Sequence, residues 1–122
     1  MNHPTLPAID CHSHVISYER PILSHRHAQP IRNHLPDELL AEFDRCGVVN
    51  GRLSAPSFYL ADNSLPLETL KAYPRLKGTA KLAPDTSLAQ LYAFNEQGIC
   101  GTRLNLYRSA VRQDTSPCRN FL

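Results

Sequence analysis

Long hydrophobic runs are missing from this chain. None approaches the ~20 residues that a membrane-spanning helix needs, so no span of that kind is expected. The opening Met1-Asn2-His3-Pro4-Thr5-Leu6-Pro7 lacks the basic and apolar regions of an export signal, and a cytoplasmic protein is the expectation. Charge of one sign is scarce as well. Thirteen basic against eleven acidic residues leave a formal +2, too little to point to nucleic acid or to an anionic membrane. The four cysteines (Cys11, Cys46, Cys100, Cys118) form no Cys-x-x-Cys pair and are expected as free thiols. No Gly-x-Gly-x-x-Gly or Walker-type loop follows an apolar run, which argues against a nucleotide-binding sheet. Low-complexity tracts and interdomain breaks are absent too. A single domain over residues 1–122 is expected, with 42% apolar residues to build its core.

What is present begins with Asp10-Cys11-His12-Ser13-His14, directly after the short apolar run Leu6-Pro7-Ala8-Ile9. Side chains alternate along an extended strand, so Asp10, His12 and His14 are expected on one side. Two imidazoles and a carboxylate at a strand end make half a site for a divalent metal, or an acid/base cluster. His25-Arg26-His27 has the same spacing but no strand before it and no acid two residues upstream, and reads as loop. A small metal-binding protein using His12, His14, His25 and His27 is the weaker alternative.

Helical and extended patterns then alternate. Ser17 to Leu35 is polar, without periodicity, and reads as a loop. Pro36 to Cys46 reads as a helix: proline suits its first position, Asp37 and Glu38 its positive end, and Gly47 its stop. Leu39, Leu40 and Phe43 give it an apolar stripe. A strand is expected from Val48 to Ala55, with Gly51-Arg52-Leu53-Ser54 unusually polar for a strand buried on both faces. A second helix after Asn63-Ser64 turns Leu67 and Leu70 inward and closes at Pro74. Lys77 to Leu82 reads as a third strand. Asp85-Thr86-Ser87 caps a third helix that groups Leu88, Leu91 and Tyr92 on one face and stops at Gly98. Ile99 to Tyr107 is the clearest strand.

This β-α-β-α-β-α-β order implies parallel strands with helices outside. A complete (β/α)8 barrel takes about 250 residues, so the expected fold is α/β, the first four βα units of a TIM barrel. Ser116-Pro117 reads as a helix start with little chain left to follow it, and truncation at the C-terminus is expected. Alternation in the fourth strand sends Leu104 and Leu106 one way, and Arg103, Asn105 and Tyr107 toward the barrel interior. An inward guanidinium needs an anion. Arg103, with Arg108 as a second candidate, reads as a carboxylate clamp, with Asn105 as a neutral donor and acceptor; an Arg103–Asp10 ion pair is the structural alternative. Ser57, after Pro56 at the second strand's end, shares that mouth.

The stretches Ile9-Asp10-Cys11-His12-Ser13-His14-Val15, Ala55-Pro56-Ser57-Phe58-Tyr59, Leu76-Lys77-Gly78 with Pro84-Asp85, and Gly98 to Leu106 resemble the amidohydrolase superfamily. The group they resemble is amidohydrolase-2, which holds 2-pyrone-4,6-dicarboxylate lactonases and related decarboxylases. The resemblance covers nearly the whole chain as the first four βα units of such a barrel. It implies hydrolysis of a lactone, amide or related C–O or C–N bond in a small carboxylated substrate, or decarboxylation as the lyase alternative. It assigns His12 and His14 to a divalent metal such as zinc, or directly to the carbonyl in a metal-free branch, with Asp10 beside them. Arg103 would hold the carboxylate. Further metal-ligating histidines and the catalytic aspartate of the group lie on later strands, and this chain has no histidine after His34. The 122-residue chain is therefore expected to be inactive alone. The non-enzymatic alternative is a half-barrel module that acts by association, its open first and fourth strands pairing with a second copy or another chain.

Overall fold

A computed structural model describes residues 6–19, 31–56, 62–83 and 85–103. Its elements follow the order β1 (Ala8–Ser13), α1 (Pro36–Cys46), β2 (Val48–Leu53), α2 (Ser64–Ala72), β3 (Leu76–Ala80), α3 (Leu88–Glu96) and β4 (Ile99–Thr102). All four strands run parallel in one sheet, ordered β1-β2-β3-β4. Each helix is the crossover between neighbouring strands, the connection a parallel pair requires. The fold is α/β, half of a (β/α)8 barrel. Because the strands are parallel, the residues following each of them gather at one edge of the sheet.

Local chemistry explains the elements. Pro36 opens α1, and the Glu38 carboxylate turns back to accept the Leu35 backbone N–H at 3.2 Å. Gly47, with φ 71°, ends α1 in the left-handed conformation that a side chain disfavours. Ser87 caps α3: its hydroxyl accepts the Gln90 N–H, and the Gln90 side chain accepts the Ser87 N–H at 2.8 Å. At α2 the residue before the helix behaves differently. Asn63 makes no cap bond; its amide donates to the Lys81 carbonyl at 2.8 Å and accepts the Lys81 N–H at 3.0 Å. One side chain thereby ties the start of α2 to the chain beyond β3.

The core lies between the sheet and the helices. Leu39, Leu40 and Phe43 of α1 pack with Val15, Leu53, Leu65, Leu70, Leu76, Ala80 and Ile99. Gly51 belongs to that face because the Phe43 ring lies on it: a Cβ there would stand 2.6 Å from the ring's Cζ. Alternation puts Asn50, Arg52, Lys77 and Thr79 on the opposite, concave face, and this accounts for the polar second strand. At the opposite end of the strands Arg75 clamps β2 to α1. Its guanidinium donates to the Val48 and Val49 carbonyls and to Asp44 at 2.7, 2.9 and 2.8 Å.

Several expected bounds shift. β2 ends at Leu53 rather than Ala55, because Ser54 and Ala55 turn their backbone toward the mouth. β3 runs from Leu76 to Ala80. β4 is described to Thr102, and its expected continuation through Leu104, Leu106 and Tyr107 lies outside the described residues, as does the helix start at Ser116-Pro117. The expected inward face of α3 is corrected. Leu88 and Tyr92 are 65% and 64% exposed, and Leu91 and Phe94 are the residues half-buried against the sheet.

Candidate active site

The strand ends bring His12, His14, Ser54, Ala55 and Arg103 together. His12 and His14 leave β1 on the same side, their rings edge-on with centroids 4.9 Å apart and Nε2 atoms 3.1 Å apart. The expected convergence of the two imidazoles is therefore present. Asp10 takes a different part: its Oδ1 accepts the His12 backbone N–H at 2.8 Å, and among the described residues it bonds to neither ring. Its carboxylate thus holds the strand end that carries the pair.

β2 supplies the other walls. His14 Nδ1 lies 2.7 Å from the Ser54 carbonyl oxygen, and His12 Nδ1 lies 3.1 Å from the Ser54 hydroxyl. A carbonyl can only accept, so Nδ1 of His14 carries a proton and its Nε2 presents a lone pair when the ring is neutral. The neutral form is favoured. Burial pushes the His14 pKa below its ordinary 6.5, opposed by the bond to Ser54 and reinforced by His12 and by the Arg103 guanidinium.

Arg103 is half-buried and donates to the Ala55 carbonyl at 2.6 Å. Among the described residues it has no ion pair, so the alternative pairing with Asp10 is not made. Its positive charge helps to lower the His14 pKa. Ser57, Asn105 and Arg108 lie outside the described residues, as do His25 and His27. Beyond the pair, Ile16 and His34 form an isolated antiparallel bridge through backbone bonds of 2.8 and 2.9 Å. His34 faces Glu38 at 3.8 Å rather than the pair.

A divalent ion can be tested against these donors. Two nitrogens about 2.0–2.1 Å from one ion stand roughly 2.9–3.4 Å apart at right-angled to tetrahedral geometry, and the 3.1 Å separation falls in that interval. A catalytic zinc takes at least three protein ligands, and no such group of three occurs among the described residues. The pair fits two positions of such a site.

Sequence reasoning missed Ser54. A serine at a strand end carries no signal of its own; its contacts arise only because the parallel register sets Leu53 beside Ser13.

No family model and no curated protein matches the chain. Solved structures do. A protein of Acinetobacter baumannii named a 2-pyrone-4,6-dicarboxylic acid hydrolase, solved with citric acid bound, matches 96% of this chain at 28% identity and TM-score 0.82. A Pseudomonas putida protein named for the same activity matches 82% at 32% identity and TM-score 0.72. A protein of Agrobacterium tumefaciens matches 82% at TM-score 0.73, and at 16% identity shows the fold alone. The chain covers 45%, 37% and 38% of these three, less than half of each. In fold and order of elements the chain is similar to the N-terminal half of 2-pyrone-4,6-dicarboxylic acid hydrolases of the amidohydrolase-2 type.

Proposed function

We propose that this chain carries part of the mouth of a hydrolase that cleaves a lactone, amide or related bond in a small carboxylated substrate. The observation that carries the reading is the pair of imidazole Nε2 atoms 3.1 Å apart, with the Arg103 guanidinium beside them. The pair supplies a polarising group for a carbonyl oxygen, so that charge developing there is stabilised. Among the described residues the Arg103 guanidinium bonds only to the Ala55 carbonyl, and it is the planar fork that suits a carboxylate. His12 and His14 would supply two of the ligands of a divalent ion such as zinc, each through an Nε2 without its proton. Such an ion would act as a Lewis acid on the same carbonyl.

The test is binding. Titration of the full chain with 2-pyrone-4,6-dicarboxylate, followed by chemical-shift changes at His12, His14 and Arg103, is expected to localise the ligand. Arg103→Met should weaken binding by roughly 10–100-fold, the loss of a charge-assisted contact worth about 1.5–3 kcal/mol. No shift at either imidazole, or equal affinity in the variant, overturns the reading.

A second reading, action by association, draws on the two outer strands. Among the described residues β1 and β4 each have one strand neighbour, and a bare edge invites another chain. Light scattering checks it: a discrete dimer supports association, and a monomer at high concentration excludes self-pairing.

A further inference from the structure

Ser54 touches both imidazoles, each through a different group. Its carbonyl oxygen lies 2.7 Å from His14 Nδ1, its hydroxyl 3.1 Å from His12 Nδ1, and the residue is buried. The carbonyl has no proton to give, so His14 donates from Nδ1 and, when neutral, keeps a lone pair at Nε2. The Nε2 atom of His12, 3.1 Å away, must then be the donor to it. With its proton at Nε2, neutral His12 has a lone pair at Nδ1, which leaves the hydroxyl of Ser54 as donor there. Each assignment forces the next, and the circuit closes on one residue. The edge-on rings, 84° apart, suit an N–H aimed at a lone pair.

We infer that Ser54 is the positioning residue of this pair. Its carbonyl fixes the tautomer of His14 and its hydroxyl fixes that of His12, so the proton between the two Nε2 atoms belongs to His12. The inference rests on the reading of these imidazoles as the chemical centre and deepens it. With no ion bound, that one Nε2–H bridges the two rings, and it reaches a substrate carbonyl only by leaving the Nε2 of His14. Second-layer partners of this kind orient imidazoles and set which nitrogen is active.

The test reads the protons directly. Nitrogen-15 correlation spectra of the imidazoles are recorded on the full chain at about pH 8, where neutral rings dominate. In the unaltered chain the expected tautomers are Nδ1–H for His14 and Nε2–H for His12. Ser54→Ala removes the hydroxyl and keeps the carbonyl: His12 should lose its single-tautomer signature while His14 keeps its own. Ser54→Thr should restore His12. A proton on His12 Nδ1 in the unaltered chain overturns the inference, even should the alanine variant not fold. So does a His12 tautomer indifferent to Ser54→Ala, or a His14 disturbed as much as His12. None of these readouts depends on substrate, so a failure here is distinguishable from a failure to bind the dicarboxylate.

Discussion

The two faces of the sheet are built on opposite rules. The helix-covered face takes Gly51, Leu53, Leu76, Gly78, Ala80 and Ile99, with α1 and α2 seated on it. The concave face takes His12, Arg52 and Lys77, all exposed, and Thr79 half-exposed. Strand alternation makes this division possible, since a single residue step moves a side chain from one environment to the other. The same six residues of β2 therefore contribute a packing surface and a polar one. Stability and chemistry are thus separable by face, and substitutions should sort accordingly.

The largest expected effect lies on the packed face. Phe43→Ala removes the ring that covers Gly51 and should cost about 3–5 kcal/mol, read as a lower midpoint in urea denaturation. Gly51→Ala attacks the same contact from the other side. Its new methyl meets the ring and should cost about 1–3 kcal/mol through overpacking; the smaller Leu at position 43 should recover part of it, a coupling that a double-mutant cycle measures. Arg75→Ala opens the clamp on the Val48 and Val49 carbonyls and should cost about 1 kcal/mol, without altering the spectra of the paired imidazoles.

On the concave face Lys77→Ala should stay within about 0.5 kcal/mol of the unaltered chain. A loss comparable to that of Phe43→Ala would show that both faces carry stability.

The smallest effect sharpens it at the mouth. Because its folded pKa is lowered, His14 contributes stability that is fully present above 6.5 and is lost as pH falls through the folded value. Its titration midpoint, followed by NMR, should lie below 6.5. It should rise in Arg103→Met but not return fully, since burial is the larger cause.

How much of this could be read from residues alone depended on how local the cause was. Pro36, Glu38, Gly47 and Ser87 act within one helical turn, and the ends of α1 and the start of α3 were legible from them. His12 and His14 are two residues apart on one strand, and alternation was enough to pair them. The apolar stripe Leu88, Leu91 and Tyr92 on α3 does not reveal which of its members meets the sheet. Leu91 and Phe94 do, and Leu88 and Tyr92 do not. Ser54 stands forty residues from His14, and half of its action comes from a carbonyl that every residue type possesses. No composition or spacing rule reaches such a contact.

The attachment made by Asn63 depends on its side chain remaining an amide. Asparagine is among the thermolabile residues, and hydrolysis of its side-chain amide would replace an NH2 donor with a carboxylate. That carboxylate would face the Lys81 carbonyl it formerly bonded at 2.8 Å, turning an attraction into a repulsion between two oxygens. The attachment of α2 to the strand beside it would then weaken by one atom's exchange, with no residue substituted in the gene.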